Sequence, residues 1–232
     1  MTTRFGIEHH DVIGSTNDRA KELALKGMTR VCVTAGAQEQ GRGRRGRSFR
    51  SEPGCGLYLS AVIPVEEVQM LTVRAAVIVA EAIEELTGVS VGIKWVNDIY
   101  LYGKKVCGIL AENVPGTGSV VLGIGVNLKK QIFPKELAAI ASDLETETGF
   151  VIEPEEMRDA ILDRLCEPVP EDLLDRYRRR CVVLGKPVTV FRGSETFDAL
   201  AVDLDEAGGL IVERDGKRQT LVSGEVSVRT KP

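Results

Sequence analysis

The sequence predicts an α+β fold: a mixed, largely antiparallel sheet with covering helices, followed by a small C-terminal β-barrel. Three observations lead there. Short apolar runs joined by tight turns succeed one another between residues 89 and 126, a meander rather than the strand–helix alternation of a parallel sheet. Helical patterns precede and follow that block. From about Leu184 the pattern changes to closely spaced short strands punctuated by glycines, which divides the chain into a larger domain, 1–183, and a small β domain, 184–232.

Each element has a local cause. Ser15-Thr16-Asn17-Asp18 offers a capped start to a helix over Arg19 to Lys26, with Gly27 as its stop. Val31 to Ala35 and Leu57 to Ile63 are apolar runs of buried-strand length, the second ended by Pro64. From Glu67 to Leu86, the residues Val68, Leu71, Ala75, Ile78, Val79, Ala82 and Leu86 recur at helical spacing, and Gly88 follows. Val89 to Trp95 and Ile99 to Tyr102 read as strands. The turn Tyr102-Gly103-Lys104-Lys105 returns the chain into Val106 to Glu112, and Asn113 to Gly118 turns it again into Ser119 to Val126. Pro134 can open a helix over Lys135 to Leu144, and two more follow over Pro154 to Cys166 and Pro170 to Cys181. The last strands are Val188 to Phe191, Phe197 to Leu204, Leu210 to Arg214, Gln219 to Val222 and Val226 to Arg229.

Composition narrows the function. The 232 residues are 43% hydrophobic and 28% charged, with net charge -4, as in an ordinary globular protein. An acidic balance argues against general DNA binding. No apolar run is long enough to span a bilayer, no signal-peptide core opens the chain, and a cytoplasmic protein is expected. Five scattered cysteines without a CxxC pair, and two adjacent histidines, read as reduced thiols and not as a metal site.

Four segments carry chemistry. Gly41-Arg42-Gly43-Arg44-Arg45-Gly46-Arg47 concentrates permanent cations on a backbone able to approach a ligand closely, which suits an anion. Arg/Gly runs also occur as solvated nucleic-acid tails, but this one lies between two core strands. Ser15, Thr16 and Asn17 sit at a helix start, where such residues usually cap but can also meet a polar ligand. Lys94-Trp95-Val96-Asn97-Asp98, with Lys105 and Gly108 beyond it, is the third; taken alone, the hairpin lysines Lys104 and Lys105 would be solvated and the indole half-buried in a sheet. In Gly123-Ile124-Gly125-Val126-Asn127, alternating glycines within a strand mark a close approach of ligand or backbone.

Taken together with Gln38 and with the terminal Gly224-Glu225-Val226-Ser227-Val228-Arg229, these segments resemble the biotin protein ligases in order and spacing, from about Val12 to Arg229. The resemblance implies a catalytic domain of the class II synthetase and biotin ligase type, and an SH3-like barrel. It implies activation of biotin by MgATP to biotinyl-5′-adenylate, then transfer to a lysine of a biotin carboxyl carrier domain. The first motif begins at Ser15, leaving no room for the winged helix-turn-helix of some members, so a monofunctional ligase is expected. By resemblance, Arg44 and Lys105 are catalytic. Biotin is expected at Ser15, Thr16, Asn17, Gln38, Gly41, Arg42, Gly43, Arg44, Lys105, Gly108, Gly123 and Gly125, its valeryl chain against the last two glycines. ATP is expected at Arg42, Arg44, Arg47, Phe49, Lys94, Asn97 and Asn127, Mg²⁺ arriving with the nucleotide and without a protein metal site. The Arg/Gly loop is expected to close over the intermediate and to be disordered when empty. A homodimer through exposed β edges is compatible with the family.

Two positions depart from the family pattern. Val96 stands where proline is common, and Phe49 where many relatives have tryptophan. Lipoate ligation is the nearest rival, with a dithiolane in place of the ureido ring; the Ser-Thr-Asn and Gln38 set favours biotin. A nucleic-acid-binding module built on the arginine run is opposed by the acidic balance.

Overall fold

The computed structural model describes residues 4–67, 70–222 and 226–230. Its centre is a seven-stranded mixed sheet of β1 (Gly6–Ile13), β2 (Val31–Gln38), β3 (Gly56–Pro64), β4 (Gly92–Lys94), β5 (Asp98–Leu101), β6 (Lys104–Val114) and β7 (Ser119–Asn127), in spatial order β1-β2-β3-β7-β6-β5-β4. β1 runs parallel to β2, and every other neighbouring pair is antiparallel.

Both faces of the sheet's centre are covered, which explains why β2, β3 and β7 read as continuous apolar runs rather than alternating ones. Helix α1 (Thr16–Leu25) covers one face: Ala20, Leu23 and Ala24 meet Val31, Val33, Val62 and Val121. The opposite face, with Cys32, Ala61, Ile63 and Leu122, packs under α2 (Leu71–Thr87), α5 (Pro154–Cys166) and α6 (Leu173–Arg180). Residues one apart on a strand thus enter two different cores, as the period of two requires.

Several expected boundaries move. α1 begins at Thr16, three residues early, and Ser15 occupies its N-cap position with extended backbone but no side-chain cap bond. α2 begins at Leu71; Glu67 closes a short 3₁₀ turn instead, and Val68 lies outside the described residues. The single helix expected over Lys135 to Leu144 is two short ones, α3 (Lys135–Ala138) and α4 (Leu144–Thr148). Asp143 accepts from the Thr146 amide, starting a new helix where the old one would have ended. β1 was not expected at all.

The remaining strands form a second, five-stranded antiparallel sheet: β8 (Pro187–Arg192), β9 (Glu195–Leu204), β10 (Leu210–Arg214), β11 (Lys217–Leu221) and β12 (Val226–Thr230), in order β11-β10-β9-β8-β12. Gly224 and Glu225 of the terminal motif lie outside the described residues. Val188, Val190, Phe197, Ala201, Leu210 and Val212 belong to the same hydrophobic cluster as α2, α5 and α6, so one continuous core passes through both sheets.

Candidate active site

A pocket opens where the first turn of α1, the end of β2, the Arg/Gly loop and the middle of β6 and β7 converge. Its polar wall begins at the start of α1. The Thr16 amide and hydroxyl both donate to Gln38 Oε1, at 2.8 and 3.0 Å, and Gln38 Nε2 donates to Ser51 Oγ at 2.8 Å. Ser60 Oγ lies 2.8 Å from Thr16 Oγ1 and 2.6 Å from Asn17 Oδ1, while Asn17 Nδ2 donates to Glu112 Oε2 at 2.8 Å. Every member is thereby fixed in place before any ligand arrives. Glu112 also pairs with Lys21 at 2.7 Å. Burial works to raise its pKa, but the bonds from Lys21 and Asn17 outweigh this and leave it below the ordinary carboxylate value.

The floor is glycine. A Cβ on Gly123 would collide with the Asn17 amide, one on Gly125 would lie 2.5 Å from the Phe49 ring, and one on Gly108 would meet Lys105 Nζ at 3.0 Å. The alternating glycines are therefore required by close approach of side chains from across the pocket. The Phe49 ring rests on Gly125 and Gly108 and stands edge-on to Tyr58 at 6.4 Å. With it there, the cavity holds about 50 Å³, against roughly 300–1,000 Å³ for typical small-molecule sites.

Cations line the remaining side, each already engaged. Arg44 Nη1 donates to Asn97 Oδ1 at 2.8 Å, and Asn97 is held in turn by its Nδ2 bond to the Ile109 carbonyl at 2.7 Å. Lys105 Nζ lies 2.6 Å from Asp98 Oδ1, and Arg42 makes a two-point pair with Asp18 at 2.9 and 3.0 Å. Burial pushes the Arg44 pKa down and the Asp98 charge pulls it back up; a guanidinium remains charged through such a shift. The loop has a defined path: the Gly43 amide donates to the Arg47 carbonyl at 2.7 Å, the Phe49 amide to the Gly41 carbonyl at 2.8 Å, and Arg44–Gly46 form a 3₁₀ turn in which Arg45 and Gly46 take positive φ.

Of the residues singled out from sequence, Thr16, Asn17, Gln38, Arg42, Gly43, Arg44, Phe49, Asn97, Lys105, Gly108, Gly123 and Gly125 line this pocket. Five do not. Ser15 is buried behind it, its hydroxyl without a hydrogen-bond partner, and Gly41 lies under the Phe49 backbone. Arg47 is exposed on the loop, Lys94 lies over the Tyr100 ring, and Asn127 Nδ2 donates to the Ser142 carbonyl at 2.9 Å. Sequence reasoning missed Ser60 and Glu112, which brace Asn17, and Asp98 as the partner of Lys105. A lone serine inside the apolar run Leu57 to Ile63 was the available signal for Ser60.

This architecture, a sheet with a glycine floor facing a cationic loop and a small β unit behind it, is that of a protein built to hold an anionic ligand. Residues 10–129 match the biotin/lipoate A/B protein ligase family and residues 183–229 the biotin protein ligase C terminal domain. The chain belongs to that family. It is 32% identical to the bifunctional ligase/repressor BirA of Bacillus subtilis, over 97% of this chain and 77% of that one. It is 29% identical to the biotin–[acetyl-CoA-carboxylase] ligase of Paracoccus denitrificans, over 91% of this chain and 96% of that one. Among solved structures, the biotin protein ligase from Aquifex aeolicus in complex with biotin and ATP aligns with a TM-score of 0.87 at 28% identity, covering 97% of this chain and 99% of that one.

Proposed function

We propose that the pocket binds biotin and ATP, joins them as biotinyl-5′-adenylate, and passes the biotinyl group to a lysine of a biotin carboxyl carrier domain. The observation that carries this reading is the meeting of a prearranged neutral polar set and three cationic side chains across one glycine floor. A ureido ring needs donors and an acceptor without net charge, which Thr16, Asn17 and Gln38 supply, with Ser15 behind them. Relatives named for biotin favour this ring over a dithiolane.

The chemistry is an encounter of two anions. A biotin carboxylate oxygen attacks the α-phosphorus, the bond to pyrophosphate breaks, and negative charge builds on both leaving and transferring oxygens. Arg42, Arg44 and Lys105 face that charge, where preoriented cations count most. Their resting partners Asp18, Asn97 and Asp98 hold them in position until a phosphate or carboxylate offers a stronger one. The Phe49 ring must leave Gly125 and Gly108 to admit the valeryl chain, and it then becomes free to stack on the base. Asn97 serves the nucleotide. The acceptor amine finally attacks the acyl carbon and AMP departs.

The pocket lining contains no carboxylate among the described residues, while Asp98 and Glu112 border it. That suits Mg²⁺ carried by phosphate oxygens and water; the ion would share the phosphate charge. Domains 1–183 and 184–232, a reducing cytoplasm for the five free thiols, and pairing of two copies through sheet edges complete the proposal. Among the described residues no helix is long and apolar enough to cross a membrane. The test is incubation with biotin, α-labelled ATP and Mg²⁺, with lipoate in a parallel arm. Labelled biotinyl-adenylate is expected from biotin alone; adenylate from lipoate, or from neither, refutes the reading.

A further inference from the structure

The indole of Trp95 is buried, and its Nε1 donates to the carbonyl of Gly208 at 3.0 Å, across 113 residues of chain. Gly208 lies in the β9–β10 turn of the C-terminal sheet. That turn is wound tightly on Asp205, whose Oδ1 accepts from the Ala207 and Gly209 amides at 2.9 and 2.7 Å, while its backbone carbonyl accepts from the Gly208 amide at 3.0 Å. Gly208 takes φ +81°, and a Cβ there would meet Val73 Cγ2 of α2 at 2.7 Å, so the turn is seated against α2 of the larger unit. Two residues beyond Trp95, Asn97 holds the Arg44 guanidinium.

We infer that the β9–β10 turn is a positioning element for phosphate activation: Asp205 sets the Gly208 carbonyl, that carbonyl sets Trp95, and through Asn97 the turn fixes where Arg44 points. The inference rests on the ligase reading above. No member of the relay other than Asn97 and Arg44 lines the pocket, so Trp95, Asp205 and Gly208 act through them and not on substrate. Their influence falls on the adenylation step and leaves the ureido-binding wall, built by α1 and β2, untouched.

The experiment measures single-turnover adenylate formation and biotin Kd in full-length protein. Asp205→Ala unwinds the turn, and Asp205→Asn keeps an oxygen for both amides. Trp95→Phe keeps the ring in the core and removes only the N–H donor. Asp205→Ala and Trp95→Phe are expected to slow adenylation about tenfold with biotin Kd within twofold, and Asp205→Asn to restore the rate. In an Arg44→Ala background, Asp205→Ala is expected to cause no further loss. Equal losses in both backgrounds, an unrescued Asp205→Asn, or unfolding of both variants assigns the turn a purely structural role and overturns the inference. Absence of adenylate from the unaltered protein would instead overturn the ligase reading itself.

Discussion

Replacing Gly123 by alanine probes the polar wall through its floor. The new methyl would occupy the space of the Asn17 amide, and that amide cannot yield freely, since Ser60 holds its oxygen and Glu112 receives its nitrogen. Relief requires Asn17 to rotate away, giving up two hydrogen bonds at about 1 kcal/mol each. That cost falls on stability, while a displaced Asn17 withdraws about 1–2 kcal/mol of hydrogen bonding from the ureido ring, a loss of about five- to thirtyfold in biotin affinity. Isothermal titration with biotin, in the absence of ATP, reads this directly. Gly6→Ala is the control: nothing lies within 4 Å of its added methyl, and its affinity should match the unaltered protein. A Gly123→Ala protein binding biotin within twofold of the parent would show that Asn17 is no part of the ligand wall.

Other outcomes follow from the same geometry. Arg44→Ala and Lys105→Ala should each keep the fold and slow adenylate synthesis at least tenfold, about 1.4 kcal/mol in the barrier; quenched-flow rates with melting curves decide it. Burial pushes the thiols of Cys32 and Cys181 up to about 12 and about 11, and Cys107 higher still. A thiol reagent at pH 8 should therefore find only the part-exposed Cys55 and Cys166 in the native protein and all five after denaturation. Arg19 and His10 hold the Glu8 carboxylate down at about 2, from an ordinary 4.5. A depressed folded-state value means stabilisation present above pH 4.5 and lost as pH falls toward 2. The parent's melting temperature should thus fall more steeply through that window than that of Glu8→Gln, by a small margin because the pair is solvent-screened.

The strands and helices that were legible in the sequence are those whose residues carry their own signal. β3 and β7 are buried on both faces and read as apolar runs, and α2 repeats its core residues at helical spacing. β1 was not legible because Gly6–Ile13 is an edge strand of mixed Glu, His, Asp and apolar residues, whose pairing with β2 alone makes it a strand. The break before α4 was marked by Asp143, a capping residue hidden behind an alanine-rich run. In the site, the glycines and arginines announce themselves because few other roles require them. Ser60 and Glu112 do not: each acquires meaning from a partner 43 to 95 residues away, a pairing that only the sheet order creates.

The hydrophobic interior runs without a seam from the large sheet into the small one. The C-terminal strands are consequently not a detachable ornament. Shortening the chain at their border would leave α2 and α6 with greasy flanks facing water, and the loss of packing would spread into the large sheet. A chain assembled this way would be expected to melt in one step, and evolution could exchange its tail only by recutting the neighbouring helices to match.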